Sequence, residues 1–225
     1  MAGQEPSPLP AMLRSDDEVA AQLGSVRAAI DAHGRSDVTV VAVTKGFDRT
    51  AIECASRLGI GDIGENYAQE LQAKCPLPSA TRAHFIGRIQ RNKVRKVADV
   101  VHLWHSVSRP EVVAEIAKRS AEPKILIQIA AEGDMTKAGI TPGELEAMLE
   151  VAEEHGVEVS GLMTIGVLGD DAQTVQSFAD LNKLADEFGL RERSMGMSGD
   201  YRDALVHGAT MLRLGSALFG PRANK

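Results

Sequence analysis

The hydrophobic positions of the chain fall into short apolar runs separated by longer segments with helical spacing. Eight runs have the length and β-branched content of strands, at residues 38–44, 60–64, 83–86, 101–105, 124–130, 157–164, 193–197 and 210–214. Between them, apolar residues recur three and four positions apart, most clearly at 111–120, 142–155 and 172–188. One more helix is predicted at about 16–33, before the first strand. The pattern predicts alternating strands and helices.

Glycine recurs where a predicted helix gives way to a strand, at Gly34, Gly59, Gly156, Gly189 and Gly208. Eight units of roughly 25 residues imply a parallel sheet, and eight strands close a barrel. We therefore predict an α/β protein with a single (β/α)8 TIM-type barrel at 15–225, an extra N-terminal helix that caps or flanks it, and a disordered lead-in at 1–14. A doubly wound sheet of five or six strands is the main alternative.

Composition narrows the class of protein. The 225 residues are 44% hydrophobic and 25% charged, as in ordinary soluble proteins, and no apolar run reaches membrane-spanning length. The first residues lack the regions of a secretory signal, and Cys54 and Cys75 form no metal-binding pattern. We expect reduced thiols, no metal site and a cytoplasmic location. The net charge of −6 argues against general nucleic-acid binding.

One basic cluster departs from this acidic balance. It consists of Arg88, Arg91, Lys93, Arg95 and Lys96. We favour a solvated helix face for these residues, and contact with an anion or a partner is the alternative.

Lys45 is the first candidate for chemistry, because it ends the most apolar run near the N-terminus. A strand so rich in β-branched residues is typical of a buried parallel sheet, so the lysine stem lies in the core and the amine at the rim. Burial favours a neutral amine, which Schiff-base formation requires. Taken alone, the residue is better explained as a lysine that extends to solvent, and its place in the fold must decide.

The predicted barrel brings Lys45 together with a candidate phosphate site. In such barrels chemistry gathers at the C-terminal ends of the strands, and phosphate often binds after strands seven and eight. Strand seven leads into Ser198, and strand eight leads into Gly215 and Ser216, whose hydroxyl and amide groups suit an anion. Arg213 shares a strand face with Gly215 and is expected to point inward, although an ion pair elsewhere in the barrel is an alternative. Together these groups predict a site for a phosphorylated aldehyde such as pyridoxal 5′-phosphate, PLP.

At these motifs the chain resembles the pyridoxal-phosphate homeostasis proteins, which are similar to the barrel domain of bacterial alanine racemase. The motifs are AVTK ending at Lys45, GEN at 64–66, HFIG at 84–87, QRNK at 90–93, HSV at 105–107, TKAG at 136–139, GLM at 161–163, SMGMS at 194–198 and RLGSALFG at 213–220. The resemblance extends from about residue 16 to 222. It implies a fold type III PLP barrel in which Lys45 forms an aldimine with the cofactor.

The resemblance also implies the remaining cofactor contacts. Ser198, Gly215 and Ser216 would hold the phosphate, and Arg213 would lie near the pyridine nitrogen. An arginine there disfavours a protonated ring nitrogen, which weakens the electron sink that carbanion chemistry uses.

Two further residues match family positions that line the pocket, Asn66 and Ser106. Asn66 is equally well explained as the cap of the helix that begins near Tyr67. His84 and His105 are interpreted as satisfying local hydrogen bonds rather than carrying protons.

The chain departs from the family pattern at two positions. Gly46 follows the lysine where relatives often have a larger residue, and it is expected to loosen the loop that carries Lys45. Ile63 replaces the usual phenylalanine before GEN, which is a change of volume at a core position.

The favoured function is that of a PLP carrier in intracellular PLP (vitamin B6) homeostasis and delivery, a monomer with PLP and apo-enzymes as partners and without established catalysis. The alternative is a PLP-dependent amino-acid racemase, which needs acid–base groups on both faces of the bound substrate. Alanine racemase takes the opposite tyrosine from a second domain, and neither Tyr67 nor Tyr201 is predicted opposite Lys45. A barrel enzyme that binds a phosphosugar is a third, weaker hypothesis.

Overall fold

The computed structural model describes residues 13–131 and 139–221. Two predictions fall largely outside these residues. Only residues 13 and 14 of the lead-in at 1–14 are described, and only Gly139 of the TKAG motif at 136–139.

Eight parallel strands close into a barrel in chain order. They are β1 (Thr39–Val43), β2 (Asp62–Glu65), β3 (Arg82–Phe85), β4 (Val101–Val107), β5 (Lys124–Gln128), β6 (Glu158–Met163), β7 (Glu192–Ser194) and β8 (Met211–Leu214). The barrel closes where β1 pairs with β8, with Thr39 opposite Met211. The predicted TIM-type barrel is confirmed, and the doubly wound alternative is wrong.

The helices alternate with the strands along the chain, with one helix before β1 and one after β8. They are α1 (Asp16–Ala32), α2 (Arg49–Arg57), α3 (Ala68–Lys74), α4 (Arg91–Val94), α5 (Pro110–Arg119), α6 (Leu145–Glu154, after a 3-10 turn at Pro142–Glu144), α7 (Asp171–Glu187), α8 (Tyr201–Val206) and α9 (Ser216–Phe219). The three helices named from their spacing are present to within a few residues. Strand β7 is shorter than the predicted 193–197, because the chain turns at Gly196, whose φ is 88°.

Helix α1 begins at a capping box that the sequence encodes locally. Ser15 accepts a hydrogen bond from the N–H of Glu18, and the Glu18 carboxylate accepts one from the N–H of Ser15. Just before this cap, Arg14 Nη1 donates to the carbonyl oxygens of Ala217 and Leu218 in α9. The predicted extra helix therefore flanks the barrel and is joined to its last helix.

The barrel wall separates two kinds of packing. On the outside, a large apolar cluster fills the space between strands and helices and contains Ala42, Trp104 and Leu214. On the inside lies a small cluster of Leu103, Leu126, Met163 and Met211. Much of the remaining interior is polar, and the site is built from these polar residues.

The basic cluster lies on the surface. Arg88, Arg91, Arg95 and Lys96 are exposed and Lys93 is half-buried, as predicted for a solvated face. Within residues 13–131 and 139–221, no helix combines the length and the apolar character needed to cross a membrane.

Strand β6 contains a glycine that the barrel wall requires. A Cβ added at Gly161 would lie 2.0 Å from the carbonyl oxygen of Glu192 in β7, whereas one added at the exposed Gly24 of α1 would meet nothing within 4 Å. We expect Gly161→Ala to lower the free energy of unfolding by about 1–3 kcal/mol, because the strands must separate. Gly24→Ala, the control, should raise it by about 0.5–1 kcal/mol. Urea unfolding measures both, and equal effects would contradict this packing.

Candidate functional site

A cavity of about 260 Å³ opens at the C-terminal ends of the strands. Six of the seven predicted site residues line it: Lys45, Asn66, Ser198, Arg213, Gly215 and Ser216. The other lining residues include Val43, Met163 and Met197. The cavity thus combines an amine, a guanidinium and several neutral polar groups with apolar walls.

Lys45 reaches the cavity from the turn that follows β1, which the N–H of Phe47 closes on the carbonyl oxygen of Thr44 at 3.1 Å. Val43, the last residue of β1, also lines the cavity, whereas its neighbour Ala42 belongs to the outer apolar cluster. Lys45 is half-buried in the lining of the cavity. The sequence-based prediction for its place in the fold is confirmed.

The loop after Lys45 is held by a hydrogen bond. Gly46 has φ 78°, a conformation that other residues rarely adopt, and its N–H donates to Glu70 Oε2 at 2.9 Å. The expectation that Gly46 loosens this loop stays a prediction. At the other departure from the family pattern, Ile63 is fully buried in the outer cluster, as expected of a core position.

Arg213 points inward, as the alternation of β8 predicted. It is only 4% exposed, and its Nη1 and Nη2 donate to Ser194 Oγ (2.7 Å) and to the Thr164 carbonyl oxygen (2.8 Å). Both acceptors are uncharged, so in the described part of the chain the ion-pair alternative is wrong. Burial lowers the pKa of Arg213 to about 10, and the Asp200 carboxylate opposes this shift. The guanidinium is a buried cation at neutral pH.

The loops after β7 and β8 meet at the cavity. Ser198 Oγ accepts a hydrogen bond from the N–H of Ala217 at 3.0 Å, which joins the two loops. Gly215 precedes the short helix α9 and Ser216 begins it. Ser198, Gly215 and Ser216 therefore lie together on the same cavity wall.

Asn66 follows β2 and lies in the same cavity. Helix α3 has Tyr67 as its N-cap residue and no side-chain capping bond, so the alternative that Asn66 caps this helix is wrong. Asn66 Oδ1 is buried and has no hydrogen-bond partner among residues 13–131 and 139–221. A buried amide oxygen without a partner is costly, which indicates that a ligand group completes it.

Ser106 lies apart from the other six residues. It follows His105 in β4, where the pairing with β5 shifts register between Trp104 and Val107. Its hydroxyl donates to the carbonyl oxygen of Ile86 at 2.9 Å, and it lines a neighbouring cavity that also contains Arg88 and Arg109. Its predicted contact with the cofactor stays a prediction.

A chain of buried hydrogen bonds, which sequence patterns did not reveal as a unit, continues from Arg213 down the barrel interior. Ser194 Oγ lies 2.8 Å from His105 Nδ1, His105 Nε2 lies 2.8 Å from His84 Nδ1, and His84 Nε2 lies 2.8 Å from Asp62 Oδ1. With neutral imidazoles, one arrangement satisfies every link, each group donating toward Asp62. The chain fixes the oxygen that Arg213 contacts.

Burial and hydrogen bonding determine the charges of His105 and Asp62 in this chain. Burial lowers the pKa of His105 well below its ordinary value, and the charges of His84 and Arg213 add to this. Burial acts to raise the pKa of Asp62, but hydrogen bonds from His84 and Arg82 outweigh it, and the pKa is lowered. The chain thus contains a neutral His105 and ends at an anionic Asp62. The interpretation of both histidines as local hydrogen-bonding groups agrees with these contacts.

Known proteins resemble this chain along nearly its whole length. The family model "Alanine racemase, N-terminal domain" matches residues 17–223. The pyridoxal phosphate homeostasis protein of Deinococcus radiodurans is 40% identical over 209 residues, which are 89% of this chain and 99% of that protein. Its counterpart in Pseudomonas aeruginosa is 35% identical over 224 residues, which are 92% and 95% of the two chains.

A solved structure resembles the barrel closely. PipY of Synechococcus elongatus, with PLP bound, superposes with a TM-score of 0.79 at 32% identity, covering 90% of this chain and 100% of that one.

The buried histidine predicts how stability depends on pH. The unfolded chain binds a proton at His105 near pH 6.5, whereas the folded chain does so only at much lower pH, so stability falls as the pH drops below about 6.5. The slope reaches about 1.4 kcal/mol per pH unit for such a histidine. The lowered pKa of His102, which burial causes first, adds in the same direction. Urea unfolding between pH 7.5 and 5 measures this slope.

The variant His105→Gln should flatten the slope, whatever its effect on stability at pH 7.5. His155→Gln, at an exposed histidine that ends α6, is the control and should leave the slope unchanged. An unchanged slope in His105→Gln would contradict the neutral state of His105.

Proposed function

The chain belongs to the pyridoxal phosphate homeostasis proteins, within the family of the alanine racemase N-terminal domain, and from this premise we propose that it binds PLP in the cavity of Lys45 and Arg213. The observation that carries the proposal is the joint presence of a half-buried lysine and a buried arginine in one small cavity. PipY, a relative of 32% identity, has been solved with PLP. The biological role that follows is the holding of PLP for homeostasis.

The residues of the cavity fit this cofactor. The unpartnered Oδ1 of Asn66 calls for a hydrogen-bond donor, and the buried cation of Arg213 calls for an electron-rich acceptor. Ser198, Gly215 and Ser216 supply hydroxyl and backbone groups at adjoining loops, which suit a phosphate. The apolar Val43, Met163 and Met197 suit the flat faces of an aromatic ring.

Each residue has a distinct task in the proposal. The Lys45 amine would hold the cofactor, because PLP, when bound, would supply an aldehyde that condenses with a primary amine and releases water. Ser198, Gly215 and Ser216 hold the phosphate, and Asn66 orients the ring. Arg213, which Ser194 and Thr164 hold in place, donates to the pyridine nitrogen without protonating it.

The ionisable groups of the lining favour holding over turnover. Among the described residues that line the cavity, Lys45 and Arg213 are the only ionisable ones, and neither Tyr67 nor Tyr201 is among them. Racemisation needs a second proton donor opposite the lysine. We therefore rank the carrier above the racemase.

The proposal also includes the cellular compartment, the oligomeric state and the partners of this carrier. Cys54 and Cys75 are unpaired, which supports a reducing compartment such as the cytoplasm. We infer that the protein works as a monomer. We also infer that it passes PLP to apo-enzymes, because its cavity opens at the barrel end where ligands can enter and leave.

The proposed function first predicts a covalent link between PLP and Lys45. Wild-type protein mixed with PLP should gain a visible absorption band, and borohydride should fix the cofactor to the peptide that contains Lys45, as mass spectrometry detects. Lys45→Ala should lose both, whereas Lys183→Ala, at an exposed lysine of α7, should keep both. Retention of the band in Lys45→Ala would move the link to another lysine.

An exchange experiment with the PLP-loaded protein distinguishes the carrier hypothesis from the racemase hypothesis. PLP-loaded protein incubated with L-amino acids in deuterium oxide should leave the Cα hydrogen and the optical purity unchanged over many hours. Rapid deuterium incorporation with loss of optical purity would replace the carrier with the racemase.

The second prediction concerns the phosphate. Ser198→Ala should weaken PLP binding about 10- to 150-fold, because a hydrogen bond to a charged group contributes about 1.5–3 kcal/mol. Binding of pyridoxal, which lacks the phosphate, should change little. Ser25→Ala, at an exposed serine of α1, should bind PLP like the wild type. Equal losses for PLP and pyridoxal in Ser198→Ala would contradict the phosphate role, and titration of the absorption band measures all of them.

A further inference from the structure

A buried ion pair lies behind the lysine strand, on the outer side of the barrel wall. Lys74, at the end of α3, places its Nζ 2.6 Å from Glu65 Oε1, at the end of β2. The side chains are 6% and 0% exposed. Burial raises the pKa of Glu65, and the Lys74 ammonium counteracts this shift. The cavity does not include either residue, so the binding site described above leaves the pair unused.

This pair holds the residue that precedes Lys45. Lys74 Nζ donates to the carbonyl oxygen of Thr44 at 2.9 Å, and Thr44 Oγ1 donates to Glu65 Oε1 at 2.5 Å. The carbonyl oxygen and the hydroxyl of Thr44 are therefore both hydrogen-bonded to the buried pair. The Thr44 side chain contacts Glu65 on the outer side of the wall, whereas Lys45 lines the cavity on the inner side.

A second carboxylate holds the residue that follows Lys45. Glu70, in the first turn of α3, accepts the N–H of Gly46 at 2.9 Å and lies 3.7 Å from Lys74 Nζ. One helix therefore contacts the backbone on both sides of Lys45. The contacts come from outside the barrel, while the Lys45 side chain faces the cavity inside.

We propose that Glu65, Glu70 and Lys74 are positioning residues for Lys45, fixing the backbone on both sides of it so that its amine meets the ligand in one orientation. A buried ion pair contributes little net stability compared with apolar residues of the same size, but it fixes geometry. A reacting amine gains from such preorganisation, since less motion must be arrested when the ligand binds. The link to PLP rests on the function proposed above, and the link to the backbone does not.

Glu70→Ala removes the hold on Gly46 and the 3.7 Å contact with Lys74, but keeps both members of the Lys74–Glu65 pair. We expect the Gly46 amide of the PLP-free protein to exchange with deuterium about tenfold faster, and PLP to bind about tenfold more weakly, which is about 1.4 kcal/mol. Glu115→Ala is the matched control, because Glu115 is also a partly buried glutamate in an i,i+4 pair, with Arg119 on α5. Glu70→Gln keeps an acceptor oxygen and should restore both values.

A double variant tests the buried pair. Lys74→Met alone leaves the Glu65 charge unpaired and is expected to destabilise the fold, so Lys74→Met is combined with Glu65→Gln, which removes both charges. This protein should fold with a thermal midpoint near that of the wild type, exchange its Lys45 and Gly46 amides faster, and bind PLP about tenfold more weakly.

The outcomes separate this proposal from the proposed function. If wild-type protein forms no reducible adduct at Lys45, the PLP function fails, while faster amide exchange in Glu70→Ala still supports the hold on the backbone. If wild type forms the adduct but Glu70→Ala matches Glu115→Ala in exchange and in PLP binding, the positioning role is overturned. The same holds if the double variant binds PLP like the wild type.

Discussion

The pleat of a strand in a closed barrel assigns each successive residue either to the interior or to the surrounding helices, and the organisation of this site depends on that alternation. At the end of β1, Lys45 enters the cavity while Thr44 turns outward to Glu65 and Lys74. At the end of β8, Arg213 enters and Leu214 packs outside. A shift of one residue would exchange these roles. The same strand ends therefore supply both the ligand-facing groups and the groups that hold them.

The interior cation imposes a second requirement. Among the described residues Arg213 has no carboxylate partner, and its donors bind the uncharged oxygens of Ser194 and Thr164. Ser194 can in turn donate its proton to His105, and the chain ends at the carboxylate of Asp62. Because Arg82 also binds this carboxylate, the chain connects a cation at the cavity to an ion pair at the opposite end of the barrel. Such a chain favours one rotamer of Arg213 more than it adds net stability.

The fold could be predicted from the sequence because its signals are local. Apolar runs recur eight times and helix-ending glycines five times, and each signal depends on neighbouring residues alone. The positions of Lys45 and Arg213 were predictable because both lie at or just after the ends of strands. Ser106 is the limit of this reasoning, since the pairing of β4 shifts register beside it and it lines a neighbouring cavity. Glu65 and Lys74 could not be paired from sequence, because their contact depends on how α3 packs against β2.

The distribution of ionisable groups connects this architecture to reversible holding. A lysine that captures an aldehyde must be well placed, and here residues on both sides of it are hydrogen-bonded from outside the barrel. Turnover would in addition require a group that gives or takes a proton near the ligand. The described lining offers a guanidinium with a pKa of about 10, a poor proton donor at neutral pH, and otherwise neutral polar and apolar residues. The Lys45 amine is firmly placed, and few groups near it can transfer protons. This arrangement favours a reversible bond between the amine and an aldehyde over catalysis of a further reaction.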